Sequence, residues 1–334
     1  MAAPVDDAGA DFRKELSALA DPLGVTIGVW VAAAGSAAPW FALAPDRPVI
    51  AASLYKLGVL LEVERQVDAA ELTYEDPLEI TDADVGPDGS NEYPGSVLSV
   101  DEALEQMITR SDNGAALAFV RTLGGDRINA TLATLGLSGL HVARDDDDDH
   151  TVTPRALGSF FAALAQRRLL SPAASDRMLA RLQRQTINDR LPDLLPPGTA
   201  VAHKTGDLIG FTHDAGILFA GSQPVIVVVL TEGAAAEDAR AFIAAVAARA
   251  HARGLLLAAA ASPPPVSLEA VQVAVVDTVS HANWPAAGAG AGAVVLLAYA
   301  SLRLRRRRGR VRPPHRAARR TPRSMAVRVG RRDR

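Results

Sequence analysis

Residues 200–233 read AVAHKTGDLIGFTHDAGILFAGSQPVIVVVLTEG. The pieces AVAHKTGDL, AGILFAG and PVIVVVLTEG are rich in apolar and β-branched residues and are divided by short Gly-containing breaks, so they read as three consecutive strands. The stretch EDARAFIAAVAARAHARG follows as a helix that the pattern closes at Gly254. At the other end of the chain, GVTIGVWVAA (24–33) and APWFALAPDRPVIAAS (38–53) read as a strand pair. Between these ends the pattern turns helical. One helix is predicted from about Leu54 to Leu72. SVDEALEQMITR starts at Ser99 with Glu102 three residues on, a capping box. SDNGAALAFVRTLGG follows as a helix ending near Gly124 and Gly125, and TPRALGSFFAALAQRRLL opens with Pro154 at a first helical turn. Two strands, a helical middle, three strands and a helix predict an α+β fold, a three-layer α/β/α arrangement. An antiparallel sheet is assembled from both chain ends, with a helical lobe inserted between them.

The 334 residues are about half hydrophobic, ample for a buried core, and contain no cysteine, which excludes disulfides and thiolate metal sites. The net charge of −3 conceals a split. Residues 301–334 hold 15 arginines against one aspartate, a surplus of 14 that leaves the other 300 residues at −17. After Ser262 the character changes. Residues 257–284 read as a linker, and PAAGAGAGAVVLLAYASL (285–302) is uncharged and runs straight into RLRRRRGR. That pattern predicts a transmembrane helix with a cytoplasmic Arg flank and the acidic body outside the membrane; the alternative is a disordered Ala/Gly linker. Residues 303–334 read as a basic, disordered tail. Residues 1–11 read as an N-terminal segment, with Asp6, Asp7 and Asp11 interrupting any apolar run, so that no secretory signal is visible.

Of the 35 basic residues only Lys14, Lys56 and Lys204 are lysines. Arginine stays protonated, whereas a partly buried lysine can lose its proton and act as a base. Two of the three lie in short motifs: Ser53-Leu54-Tyr55-Lys56, then Ser111-Asp112-Asn113, then Lys204-Thr205-Gly206. Each motif is weak alone; the set in this order is specific. Ser53 at a helix start would have its developing charge favoured by backbone N–H groups, with Lys56 one turn on and within reach of its hydroxyl. Ser111 is read as a proton relay at a helix junction, Asn113 as an amide for the substrate, and Asp112 as a brace for the turn. Lys204 on an edge strand supplies positive charge for a substrate carboxylate, which Thr205 would hydrogen-bond. Gly206 permits close approach, and the N–H groups of Ser53 and Asp207 would hold an oxyanion. His203 and His213 read as structural. No cofactor, metal or nucleic acid enters this reading.

These motifs, with the flanks PVIAASLYKLGVL, INATLATLGL, TVTPRAL and FTHDAGILFAG, resemble the class A β-lactamase and D-alanyl-D-alanine peptidase superfamily over roughly residues 12–256. The resemblance implies about five antiparallel strands flanked by helices, an acyl-enzyme on Ser53, and β-lactam or acyl-D-alanyl substrates handled by a monomer. One departure matters. The family's deacylating glutamate has no counterpart, because no Glu occurs from Gln106 to Thr231. The corresponding place reads HVARDDDDDHTVTP, where Asp145 to Asp149 are candidates for a substitute carboxylate, although an Asp run of this kind is also a solvated loop.

Overall fold

The central strand is the most apolar one, QPVIVVVLTE, because it is covered on both faces. In the computed structural model, which describes residues 5–36, 38–85, 93–144 and 148–261, five strands form one antiparallel sheet: β1 (Thr26–Ala33), β2 (Phe41–Leu43), β3 (Val201–Leu208), β4 (Phe211–Ala220) and β5 (Gln223–Glu232). Their order is β2-β1-β5-β4-β3. Thr26 lies opposite Glu232 and Ala33 opposite Val225, which pairs an early strand with a late one across the helical middle. The last three strands form a meander that leaves β3 at the edge.

Side chains alternate across the sheet and create two cores. Val225, Val227 and Val229 face one side, with Phe12 and Leu16 of α1 (Val5–Ala20) and Phe242, Ile243 and Val246 of α8 (Ala236–Ala261). Ile226, Val228 and Leu230 face the other side and join the core of the helical lobe. The lobe is built on α2 (Lys56–Asp68), whose Leu57, Val59, Leu60, Leu61 and Val63 are all fully buried. Around it stand α3 (Val100–Thr109), α4 (Asn113–Leu123), α5 (Gly125–Thr134), α6 (Pro154–Ala165) and α7 (Pro172–Leu182).

The sheet and lobe meet where α6 crosses β1. A Cβ on Gly158 would lie 2.4–2.8 Å from the indole of Trp30. Gly158→Ala should therefore overpack this joint and lower the stability by about 1–3 kcal/mol, read as a lower midpoint in urea. An unchanged midpoint would mean that the indole moves aside freely.

Several boundaries differ from the sequence reading. α8 runs through Gly254 to Ala261, so it takes in the start of the predicted linker. Gly254 serves close packing instead of a stop: its Cβ would lie 2.5 Å from Val225 Cγ2. α1 starts at Val5, so it takes in part of the stretch 1–11 read as an N-terminal segment. Of 38–53, only Phe41–Leu43 joins the main sheet; Val49–Ile50 pairs instead with Thr151–Val152, which pairs in turn with Leu140–His141. α2 ends at Asp68, short of Leu72, and β4 begins at Phe211, earlier than AGILFAG. By length and composition α8 could cross a membrane, yet half of its apolar window is buried in this domain. The run at 285–302 and the tail at 303–334 lie outside the described residues. Residues 1–264 and 265–334 separate as two units, and the described residues all belong to the first.

Candidate active site

Ser53 sits in a 3-10 turn, Ala52–Tyr55, that runs directly into α2. Ala52, immediately before it, has φ +45°, a left-handed conformation that destabilises a residue with a Cβ by about 1–2 kcal/mol. Ser111, between α3 and α4, has φ +60°. The Asp112 side chain caps α4 by accepting from the Ala115 N–H at 2.8 Å, so it braces this turn. Both serines are thus held on backbone that the surrounding packing enforces.

Lys56 is the meeting point. Its Nζ lies 3.0 Å from Ser53 Oγ, 3.3 Å from Ser111 Oγ, 2.7 Å from the Ser111 carbonyl oxygen and 2.6 Å from Asn113 Oδ1. Lys204 Nζ donates to Ser111 Oγ at 2.9 Å and to the Thr205 carbonyl at 2.9 Å. Both lysines are completely buried. Burial, followed by the nearby Lys204 charge, holds the Lys56 amine well below the ordinary lysine range. Burial also lowers Lys204, to about 7, against the opposing pull of Asp214. The structure therefore brings Ser53, Lys56, Ser111, Asn113 and Lys204 into one hydrogen-bonded cluster.

Gly206 lies on the same side. A Cβ there would meet the Ala51 carbonyl at 3.1 Å and Leu54 at 3.3 Å, so the β3 backbone comes up against the Ser53 turn. By strand alternation Lys204 shares that face, and Thr205 and Asp207 point to the other. Thr205 is buried, like Lys204 before it. Asp207 lines the cleft, and its carboxylate accepts from Arg190 at 2.7 Å. The sequence reading passed over Arg190. Its buried guanidinium also donates to the carbonyls of Gly206 and His213 and so anchors the strand bearing the third motif. His213 and His203 are structural. His213 accepts the Thr231 N–H at Nδ1 and donates from Nε2 to the Ile50 carbonyl, tying β4 to the segment before Ser53; His203 pairs with Asp214.

The cleft over Ser53 has a volume of about 960 Å³ and is walled by Tyr55, Asn113, Arg121, Asp149, His150 and Ile209 among others. Within the Asp run, residues 145–147 lie outside the described residues. Asp148 is paired with Arg144 and His141, which hold its carboxyl well below the usual range.

Comparisons with known proteins address the chain as a whole. The model of the family described as "Beta-lactamase enzyme family" matches residues 11–253. The chain belongs to the beta-lactamase enzyme family. Fold and enzyme class are accordingly those of β-lactamase-like serine hydrolases. A beta-lactamase of Streptomyces lavendulae is 26% identical over 241 residues, 66% of this chain and 78% of that one. Beta-lactamase VEB-1 of Pseudomonas aeruginosa is 25% identical over 191 residues, and the match spans only 64% of its length and half of this chain. Among solved structures, a beta-lactamase from Sphaerobacter thermophilus superposes with a TM-score of 0.67 at 26% identity, covering 75% of this chain and 98% of that one. PBP-A superposes with the same TM-score at 25% identity, covering 73% and 95%.

Proposed function

We propose that this protein is a serine acyl-transfer hydrolase of the class A β-lactamase type that opens β-lactam amides through an acyl-enzyme on Ser53. The observation that carries the reading is the environment of Lys56. A neutral amine has two hydrogens and one lone pair. The Ser111 carbonyl and Asn113 Oδ1 can only accept, and they take the two hydrogens. The lone pair is then left for the Ser53 hydroxyl, 3.0 Å away. Ser53 Oγ attacks the amide carbon while its proton passes to Lys56. Ser111 Oγ, between the two amines, relays that proton to the leaving nitrogen as the C–N bond breaks. The N–H groups of Ser53 and Asp207 hold the oxyanion, and Asn113 orients the acyl group. Lys204 supplies positive charge from beneath the cleft toward a substrate carboxylate, which Thr205 hydrogen-bonds.

A second reading, a D-alanyl-D-alanine peptidase, esterase or penicillin-binding protein with slow deacylation, is favoured by one observation: the chain from Gln106 to Thr231 contains no glutamate, and Asp148 is committed to ion pairs. Nitrocefin distinguishes them. Sustained turnover supports the first reading, and a burst of one equivalent followed by arrest supports the second. A non-catalytic cell-wall sensor would give neither, and no mass adduct. The same reading makes the domain a monomer outside the cytoplasm, tethered through residues 285–302; release of the protein from membranes by carbonate alone would remove the tether.

A further inference from the structure

Beside Lys56 lies a polar surface that acylation does not use. The ring of His150 stacks face to face on Tyr55, with centroids 3.6 Å apart and planes 3° from parallel. Tyr55 is the last residue of the Ser53 turn, immediately before Lys56, and its ring centre is 5.9 Å from Lys56 Nζ. The Ala51 N–H donates to the His150 carbonyl at 2.8 Å, which pins the His150 backbone to the start of the same turn. His150 Nδ1 accepts the Ala143 N–H at 2.8 Å. That bond uses the Nδ1 lone pair and places the ring proton on Nε2. His150 Nε2–H and the Tyr55 hydroxyl both belong to side chains lining the cleft, and neither meets a protein partner among the described residues. Burial lowers His150 to about 4, so at neutral pH the ring is an uncharged donor.

We propose that the Tyr55–His150 stack holds the deacylating water, with Lys56 as the base for this half-reaction as well as for acylation. The inference rests on the acyl-enzyme proposed above. Once Lys56 has given the Ser53 proton to the leaving nitrogen, its lone pair is again available. His150 Nε2–H donates to the water oxygen and Tyr55 fixes its orientation. The water oxygen adds to the ester carbon while its proton passes along hydrogen-bonded water to Lys56. The C–Oγ bond then breaks, Lys56 returns the proton to Ser53 Oγ, and the free acid leaves. With its Nδ1 occupied, His150 cannot itself take the proton, so it is a positioning residue.

Intact-mass time courses with benzylpenicillin separate formation of the adduct from its decay. In His150→Ala, decay should slow by about tenfold or more while formation stays within about threefold of the parent. His150→Gln, which can return an N–H donor near Nε2, should recover part of the loss, and Tyr55→Phe, which keeps the stack, should fall between. These two variants carry the test if His150→Ala does not fold. Decay at the parent rate in all three variants overturns the proposal. So does a loss confined to formation, which would assign the ring pair to a substrate oxygen. Slower decay in Asp149→Asn than in His150→Ala would place the base on the Asp loop and overturn it too. A parent adduct that never decays defeats this inference and leaves acylation standing, whereas no parent adduct at all defeats both.

Discussion

Ser53→Ala should give no covalent adduct with benzylpenicillin under conditions where the parent chain gains the mass of one penicillin molecule. The substitution removes the attacking oxygen and little else. Ser53 is half-buried, and among the described residues its side chain makes one hydrogen bond, from Lys56 Nζ. Lys56 keeps the Ser111 carbonyl and Asn113 Oδ1, so the cluster stays assembled. The melting midpoint should thus move by no more than the worth of one hydrogen bond, about 1 kcal/mol. Adduct formation undiminished in the variant, or mapping of the parent adduct to another residue, would remove Ser53 from the mechanism.

Lys56→Met should slow acylation by about 10²–10⁴-fold, the usual contribution of a positioned base. Met fills a similar volume but takes the Lys56 donor from two partly buried carbonyl acceptors, so a stability loss of about 1–3 kcal/mol should accompany it. The pH profile separates the two effects. Lys56 must be neutral to accept a proton, so the parent rate rises as pH climbs through its lowered pKa. Lys204 must be charged to attract a carboxylate, so the rate falls as pH climbs through about 7. In Lys56→Met the rising limb should vanish and the falling limb remain. An acylation rate within tenfold of the parent, with both limbs intact, would show that another group takes the Ser53 proton.

Features made by neighbours in the chain were legible in the sequence. The Ser99–Glu102 capping box forms as read, with the Ser99 hydroxyl accepting from the Glu102 N–H at 3.2 Å and the Glu102 carboxylate accepting from the Ser99 N–H at 2.9 Å. Pro154 opens α6, and the three-strand run is the β3–β4–β5 meander. The failures share a cause. Gly254 has the local look of a helix stop, yet its small size answers Val225 on a strand remote in sequence. Val49–Ile50 has the apolar character of a sheet strand, yet its partner is Thr151–Val152, about a hundred residues on.

Strand and helix order, the antiparallel meander and the identity of the motif lysines follow from periodicity, end signals and residue type, which act over a few residues and are written in the chain itself. Only the tertiary structure decided that Ala52 and Ser111 are forced into left-handed backbone and that Arg190 clamps the strand bearing Lys204. It alone set His150 on Tyr55. Each of these depends on burial and on contacts between segments far apart in sequence, and the desolvation that lowers the two lysines exists only once those segments have closed over them.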